Sequence, residues 1–402
     1  GGPMPERGSR SSAVEGYMQQ NRRFQSNLLI SAFDVRIGVS RMISNTKRAV
    51  LDDRVQHIDL EDVITVKDLM NAYMDSSIQS RALARCARVY EDALMDPRRP
   101  LVVLGISGPL IAAGLRKVLV DMIRFGTVDA MVSTGAIMYQ DYLNAGGHWH
   151  YKCSPEIDDL MLKELAIDRI YDTLVDEDAF YEKDAEIGEI AETLEPRGYS
   201  SREFMEVLGS HVADEGSILY NARKYGVPIF VPAMNDSSIG IGLTGFYHKM
   251  LSEGRDHGEF MHIDSIRDNH ELTQLKIATE STAAIYIGGG VPKNFIQQME
   301  GTADTMGHPK GGHSYAVQIT MDSPQWGGLS GCTFEEAQSW GKINHDAKTA
   351  VAYVEASIGL SLMVSYILQN GSWEGRSRLR PIWESGQLVS LAREPIESNN
   401  GG

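Results

Sequence analysis

Six short runs of branched and aromatic apolar residues recur along this chain, each closed by a turn of glycine or small polar residues. That repetition limits the folds open to it. Residues 101–105 (LVVLG) precede a helical pattern over 110–125, and 128–133 (VDAMVS) lead through Thr134 and Gly135 into another. Residues 227–232 (VPIFVP) lead to the loop Asn235-Asp236-Ser237-Ser238, and 283–287 (AAIYI) to Gly288-Gly289-Gly290 and a helix starting near Pro292. Residues 315–320 (YAVQIT) precede a loop, and 350–354 (AVAYV) a helix over 356–368. Strands that are apolar almost end to end are buried on both faces, as in a parallel sheet whose intervening helices cover both sides. The expectation is an α/β protein with a doubly wound, mostly parallel sheet. A helical region is expected over 1–98 and an acidic helical and loop insertion over 150–212.

The 402 residues suffice for one central sheet with decorations. With 54 acidic against 38 basic side chains the net charge is −16, a sign that argues against nucleic acid and leaves cationic small molecules open as ligands. Three cysteines, Cys86, Cys153 and Cys332, are too few for a disulfide framework, so a reducing, cytoplasmic setting is expected. The longest apolar stretch, 101–115, carries Gly105, Ser107, Gly108 and Pro109 and falls short of the ~20 residues of a spanning helix, so no membrane partner is expected. The N-terminal GGPMPERGSRSS lacks the apolar core of a signal peptide, and the ESNNGG end reads as disordered.

In an open parallel sheet, ligands bind beyond the carboxyl ends of the strands. Four loops there are rich in glycine or small polar residues: 105–109 (GISGP), 133–135 (STG), 235–238 (NDSS) and 288–290 (GGG). Such loops let backbone N–H groups approach a phosphate at a helix N-terminus. Each alone reads as a tight turn; four at one sheet edge point to a nucleotide-like ligand, although none of the four matches the dinucleotide fingerprint G-x-G-x-x-G. The segment FEEAQSWGKI (334–343) places Lys342 two residues after Trp340, with Glu336 upstream. A lysine there reads two ways. It is either a surface side chain lying along a tryptophan, or a desolvated amine able to attack an imine or carbonyl as a Schiff-base nucleophile. His148, His150 and Cys153 invite a metal, but no partner cluster completes a ligand set, so none is expected. Gly105-Ile106-Ser107-Gly108 misses the last glycine of a nucleophile elbow, which argues against hydrolase chemistry.

Three strings together resemble deoxyhypusine synthase and its homospermidine-synthase relatives: SILYNARKYGVPIFVPAMNDSSIG (217–240), AIYIGGGVPKNFI (284–296) and EEAQSWGKINHDAKTAVAYVEAS (335–357). LVVLGISGPLIAAGLR (101–116) and VDAMVST (128–134) support them, and the likeness spans roughly 65–370. It implies a Rossmann-like, NAD-binding domain over 65–375, flanked by a partly disordered extension (1–64) and a tail (376–402). It further implies an NAD-dependent transferase that moves an aminobutyl group from a spermidine-like polyamine, through an imine on a lysine, to a second amine. On that resemblance Lys342 is the imine-forming lysine, and Trp340 and Glu336 line the substrate pocket. Gly108, Thr134, Asp236, Gly288, Gly289, Ser330 and Glu355 contact the cofactor, Glu355 standing where the family usually has Asp. A homotetramer with sites between subunits is implied as well.

The departures bear on substrate. Asn294 replaces a basic histidine of the eukaryotic synthases, Ile241 and Leu329 replace two carboxylates that anchor the polyamine's amines, and Gln140 replaces a glutamate on the cofactor's ribose. The string PQWGGLSG (324–331) is similar to the bacterial branch. Losing two anionic anchors costs roughly 1–3 kcal/mol each unless other carboxylates replace them. The expected acceptor is therefore a free diamine, giving a homospermidine-type product. A protein lysine as acceptor, or a silent NAD- or polyamine-binding homologue, are the alternatives.

Overall fold

The computed structural model describes residues 47, 48 and 50–396. Gly1–Gln56 form one unit and His57–Gly402 another, and the second carries everything below. Expectations for residues 1–46 and for ESNNGG fall outside the described residues.

Six strands form the central sheet: β1 (Leu101–Ile106), β2 (Ala130–Ser133), β3 (Ile229–Phe230), β4 (Thr282–Ile287), β5 (His313–Ile319) and β6 (Ile343–Ala352). They lie in the order β6-β5-β4-β1-β2-β3, and every neighbouring pair is parallel. The pleat sends Val102, Leu104 and Ile106 of β1 to one face and Leu101 and Val103 to the other, and all five are buried. Two apolar cores result. One packs against helices Ile78–Met95, Arg116–Arg124, Gly135–Ala145 and Ala356–Gln369. The other packs against helices Ser265–Ile277, Gly290–Thr305 and Phe334–Ser339. The chain is thus a doubly wound α/β protein, as the apolar runs required.

Local chemistry moves several boundaries. The helix expected from residue 110 begins at Arg116, because Gly108 (φ +94°) and Gly114 (φ +86°) take left-handed turns that no helix contains. β3 keeps only two ladder residues, since Pro228 and Pro232 have no N–H to donate. β6 starts at Ile343, seven residues before its apolar run; as an edge strand with β5 as its partner in the sheet it tolerates the polar stretch 344–348. The 150–212 insertion is not helical and loop alone. It contains an antiparallel sheet in which Thr173–Asp176 pairs with both Tyr151–Lys152 and Ile167–Ile170. Helix Ser201–Ser210, also inside that span, joins the main core through Phe204 and Leu208. No helix among the described residues is long and apolar enough to cross a membrane.

Residues 376–396, read from sequence as a tail, are held by a buried charge cluster. Strands Ser377–Glu384 and Gln387–Pro395 form an antiparallel hairpin. Asp129, at the threshold of β2, accepts from Arg99 Nη1 (2.8 Å) and Nη2 (2.6 Å), from Arg376 Nη2 (2.9 Å) and from the Val102 N–H (2.8 Å). Burial alone would push the Asp129 carboxyl up, but the two guanidinium groups hold it below the usual carboxylate range. Removing one partner of such a cluster strands the others without water. Asp129→Ala is therefore expected to cost about 3–5 kcal/mol in urea unfolding; a loss under 1 kcal/mol would show that the cluster does not hold the hairpin to the sheet.

Candidate functional site

From β1 the chain winds outward through β2 and β3, then returns to β4 on the other side of β1 and winds out through β5 and β6. The loops after β1 and β4 leave in opposite directions and open a crevice at the carboxyl ends of adjacent strands, where dinucleotides bind in this strand order. Ser107 ties the two loops together. Its N–H donates to Ile287 O (3.0 Å) and its Oγ accepts from the Gly289 N–H (3.1 Å). Ser330 Oγ accepts from the Gly290 N–H (2.8 Å). A Cβ on Gly288 would stand 2.3 Å from Ser107 Oγ, and one on Gly289 2.6 Å from Ser330 Cα and Cβ. Gly108, Gly288, Gly289 and Ser330 are thus brought to one place. Gly108 (φ +94°) and Gly290 (φ +58°) by contrast have nothing within 4 Å of a would-be Cβ, so the backbone there is open to close approach.

Next to this crevice, at β2 and β3, Thr134 stands at the N-cap of helix Gly135–Ala145 and its N–H donates to Ile106 O (3.3 Å). A Cβ on Gly135 would meet Ser237 Oγ at 2.2 Å, so this turn and the 235–238 loop are in contact. They border a cleft of about 400 Å³ lined by Gln140, Asp236, Ser237 and Ile241. Ile241 is 61% exposed, unusual for its type. Glu355 lies beyond β6, at the other end of the sheet. Its carboxylate caps helix Ala356–Gln369 through Ser357 N–H (2.9 Å) and Ile358 N–H (3.3 Å). Burial raises its pKa, but these bonds and the Ser357 hydroxyl prevail and hold it below the usual range.

Lys342 directly precedes β6. Its N–H donates to Ala337 O (3.1 Å), and its carbonyl accepts from the His313 N–H (3.0 Å). Gly341, in the left-handed region (φ +74°), makes the turn that folds the side chain back, with Nζ 5.6 Å from the Trp340 ring centre. Glu336 lies in the first turn of helix Phe334–Ser339, which Thr333 caps by accepting the Glu336 N–H (3.1 Å). Burial raises the Cys332 thiol, the Glu336 charge adds to the rise, and Lys293 and Lys342 oppose it. Asn294 is half-buried on helix Gly290–Thr305; Leu329 (40% exposed) and Trp340 (70%) present apolar surface to solvent.

Lys342, Trp340, Glu336, Asn294 and Leu329 therefore belong to the β4–β6 half of the molecule, and Ile241 does not join them. Ile241 follows β3 and Lys342 precedes β6, and these are opposite edges, five strand spacings or about 24 Å apart. Three further residues belong to the Lys342 side. Glu300 places its carboxylate 3.5 Å from where a Cβ on Gly341 would be. Burial and Asp304 raise the Glu300 carboxyl, while Lys276 and Lys342 lower it. Lys293 and Gln318 are buried together under the glycine turn. A lone Gln in the apolar run YAVQIT and a lysine inside GGGVPKNF were the signals available for the last two.

The sequence profile described as deoxyhypusine synthase matches residues 68–367. The chain is 43% identical over 333 residues to a Methanosarcina acetivorans protein named "Probable deoxyhypusine synthase 2", covering 81% of this chain and 93% of that one. It is 40% identical over 339 residues to a "Deoxyhypusine synthase-like protein" of Chlorobaculum parvum, covering 83% and 94%. The crystal structure of an Entamoeba histolytica protein assigned to deoxyhypusine synthase superimposes with a TM-score of 0.51 at 18% identity, covering 78% of this chain and 96% of that one. This last likeness is one of fold.

A side chain on Gly289 would meet Ser330, whose Cα and Cβ stand 2.6 Å from the Cβ position. Gly289→Ala is expected to displace Ser330 and cost about 1–3 kcal/mol in urea unfolding. Unchanged stability would mean that the Ser330 loop yields freely and is no fixed wall of the crevice.

Proposed function

The chain belongs to the deoxyhypusine synthase family, and on that premise we propose that it transfers an aminobutyl group from a polyamine donor, through an imine on Lys342, to an amine acceptor that is a free diamine. The observation that carries this reading is the Lys342 amine over the Trp340 indole, 5.6 Å from its centre, in a chain whose sheet reversal opens a glycine-lined crevice. The open backbone at Gly108 and Gly290 and the Ser107–Gly289 and Ser330–Gly290 bonds fit a dinucleotide such as NAD. Bound there, NAD would supply a reversible hydride acceptor, so that the transfer would involve no net oxidation.

Lys342 does the covalent work. Its neutral amine adds to the imine carbon of the dehydrogenated donor; the C–N bond to the departing amine breaks, the proton leaves with that amine, and a lysine imine remains. The acceptor amine then adds to the same carbon and expels Lys342 as a free amine. Trp340 holds substrate ammonium against its π face, and Glu336 is the nearby carboxylate on the adjoining helix able to pair with it.

The reading is tested with NAD, spermidine and putrescine, followed by borohydride reduction. A stable adduct on Lys342 and a homospermidine-type product are expected. Lys342→Arg, whose guanidinium stays protonated, is expected to keep the fold and NAD binding but to lose transfer by several orders of magnitude, while some amine-dependent NAD reduction survives. Transfer near the wild-type rate in Lys342→Arg would replace the lysine imine by direct attack on a free one. Tight NAD binding with no turnover on any amine would favour a silent homologue, and turnover on a protein lysine alone would change the acceptor.

The separation of Ile241 from Lys342 supports a site completed by a second copy, with the Ile241 edge of one subunit covering the exposed Trp340 and Leu329 of its neighbour. Lys342→Arg and a blocking Ile241→Lys, each inactive alone, are expected to regain about a quarter of wild-type sites when denatured and reassembled in equal amounts, because half the pairs are mixed and each mixed pair has one intact site. No recovery in the mixture would place both residues in one subunit's site.

A further inference from the structure

Lys293, one turn into helix Gly290–Thr305, is 0% exposed, yet none of its bonds is to a carboxylate. Its Nζ donates to Gln318 Oε1 (2.8 Å), Cys332 O (2.6 Å) and Ser330 O (3.3 Å). Three acceptors call for three N–H groups, which the ammonium has and the neutral amine lacks. The rings of Phe334 and Tyr286 lie 5.8 and 6.0 Å from the charge. Gln318 completes the arrangement: its Nε2 donates to Gly288 O (2.9 Å) and to Ser330 O (2.8 Å). Two buried side chains thus join the Gly288 turn after β4, the loop after β5 and the start of the helix between them. A buried charge is a costly way to secure packing that an apolar side chain would give more cheaply.

We propose that Lys293 is a positioning residue that, with Gln318, locks the Gly288–Gly290 turn to the 329–332 loop, so that the dinucleotide crevice and the segment leading to Lys342 move as one body. The ligand rests on the proposed function; the mechanical coupling does not.

The charged and titratable groups acting on Lys293 are Cys332, Glu336 and Asp322, which favour its ammonium, and Lys342, which opposes it. Burial outweighs them and lowers the amine to about 8 from its ordinary 10.5. As pH rises through that value one N–H is lost and one carbonyl goes without its donor. The sign for global stability is opposite. Between about 8 and 10.5 the unfolded lysine holds a proton that the folded one has released, so the Lys293 contribution to stability grows with pH. A merely structural lysine would not weaken the crevice over the range in which it stabilises the fold.

The test is NAD titration by calorimetry at pH 7 and 9.5 on wild type, Lys293→Met and Gln318→Leu, with melting curves and amide exchange at Gly290. Lys293→Met is expected to melt within a few degrees of wild type, bind NAD about tenfold or more weakly at pH 7, and lack the alkaline loss of affinity that wild type shows. Wild-type affinity in folded Lys293→Met, or the same pH response in both proteins, overturns the proposal. Should Lys293→Met not fold, Gln318→Leu, which leaves Lys293 two carbonyls, is expected to lose affinity several-fold, and unchanged affinity overturns it equally. If wild type binds no NAD, the functional reading fails by itself. Gly290 exchange then decides: faster in Lys293→Met supports the lock, and an unchanged rate removes it.

Discussion

A strand buried on both faces cannot spare its backbone for anything but its neighbours, and β1 is such a strand, with β2 on one side and β4 on the other. Because all six strands run the same way, every return path crosses a face of the sheet, and every strand delivers its next loop to the same edge. The reversal of winding at β1 is the one place where two consecutive deliveries diverge. The remainder follows from that geometry: Ser107 bridges the gap, glycines stand where side chains would collide, and small or polar residues appear where the backbone is left open.

The sequence carried the sheet clearly, because burial on two faces writes itself as unbroken apolar runs. What it concealed was whatever lacked that signature. The first half of β6 reads as a polar loop since an edge strand meets fewer side chains, and the small antiparallel sheet within 150–212 is too short and too exposed to show alternation. The hairpin at 377–395 was hidden for a different reason. Leu379 does join the second core, but the buried anchor beside it is electrostatic, through Arg376 and Asp129, and a pair 247 residues apart leaves no periodicity to find.

The candidate site was legible in unequal parts. Glycine loops and the SWGK string announce themselves locally, and the fold gathers Gly108, Gly288, Gly289 and Ser330 at the carboxyl ends of β1 and β4. Distances between elements are not local. Ile241 and Lys342 sit in motifs of equal clarity, yet strand order sets them on opposite edges, which is what turns a list of pocket residues into an argument for a second subunit. Lys293 and Gln318 lie inside recognisable strings, but a buried polar pair becomes visible only once the two strings are seen to touch.

The Asp129 cluster has a consequence for the order in which the protein is made. Arg99 and Asp129 leave the ribosome together and can pair at once, but the carboxylate also awaits Arg376, synthesised 247 residues later. At translation rates of about 5–20 residues per second that interval is tens of seconds, during which the threshold of β2 holds a charge pair missing its third member. The central strands are consequently finished from the far end of the chain, and a nascent chain halted before Arg376 would retain its apolar runs while lacking the charge that closes the base of the sheet.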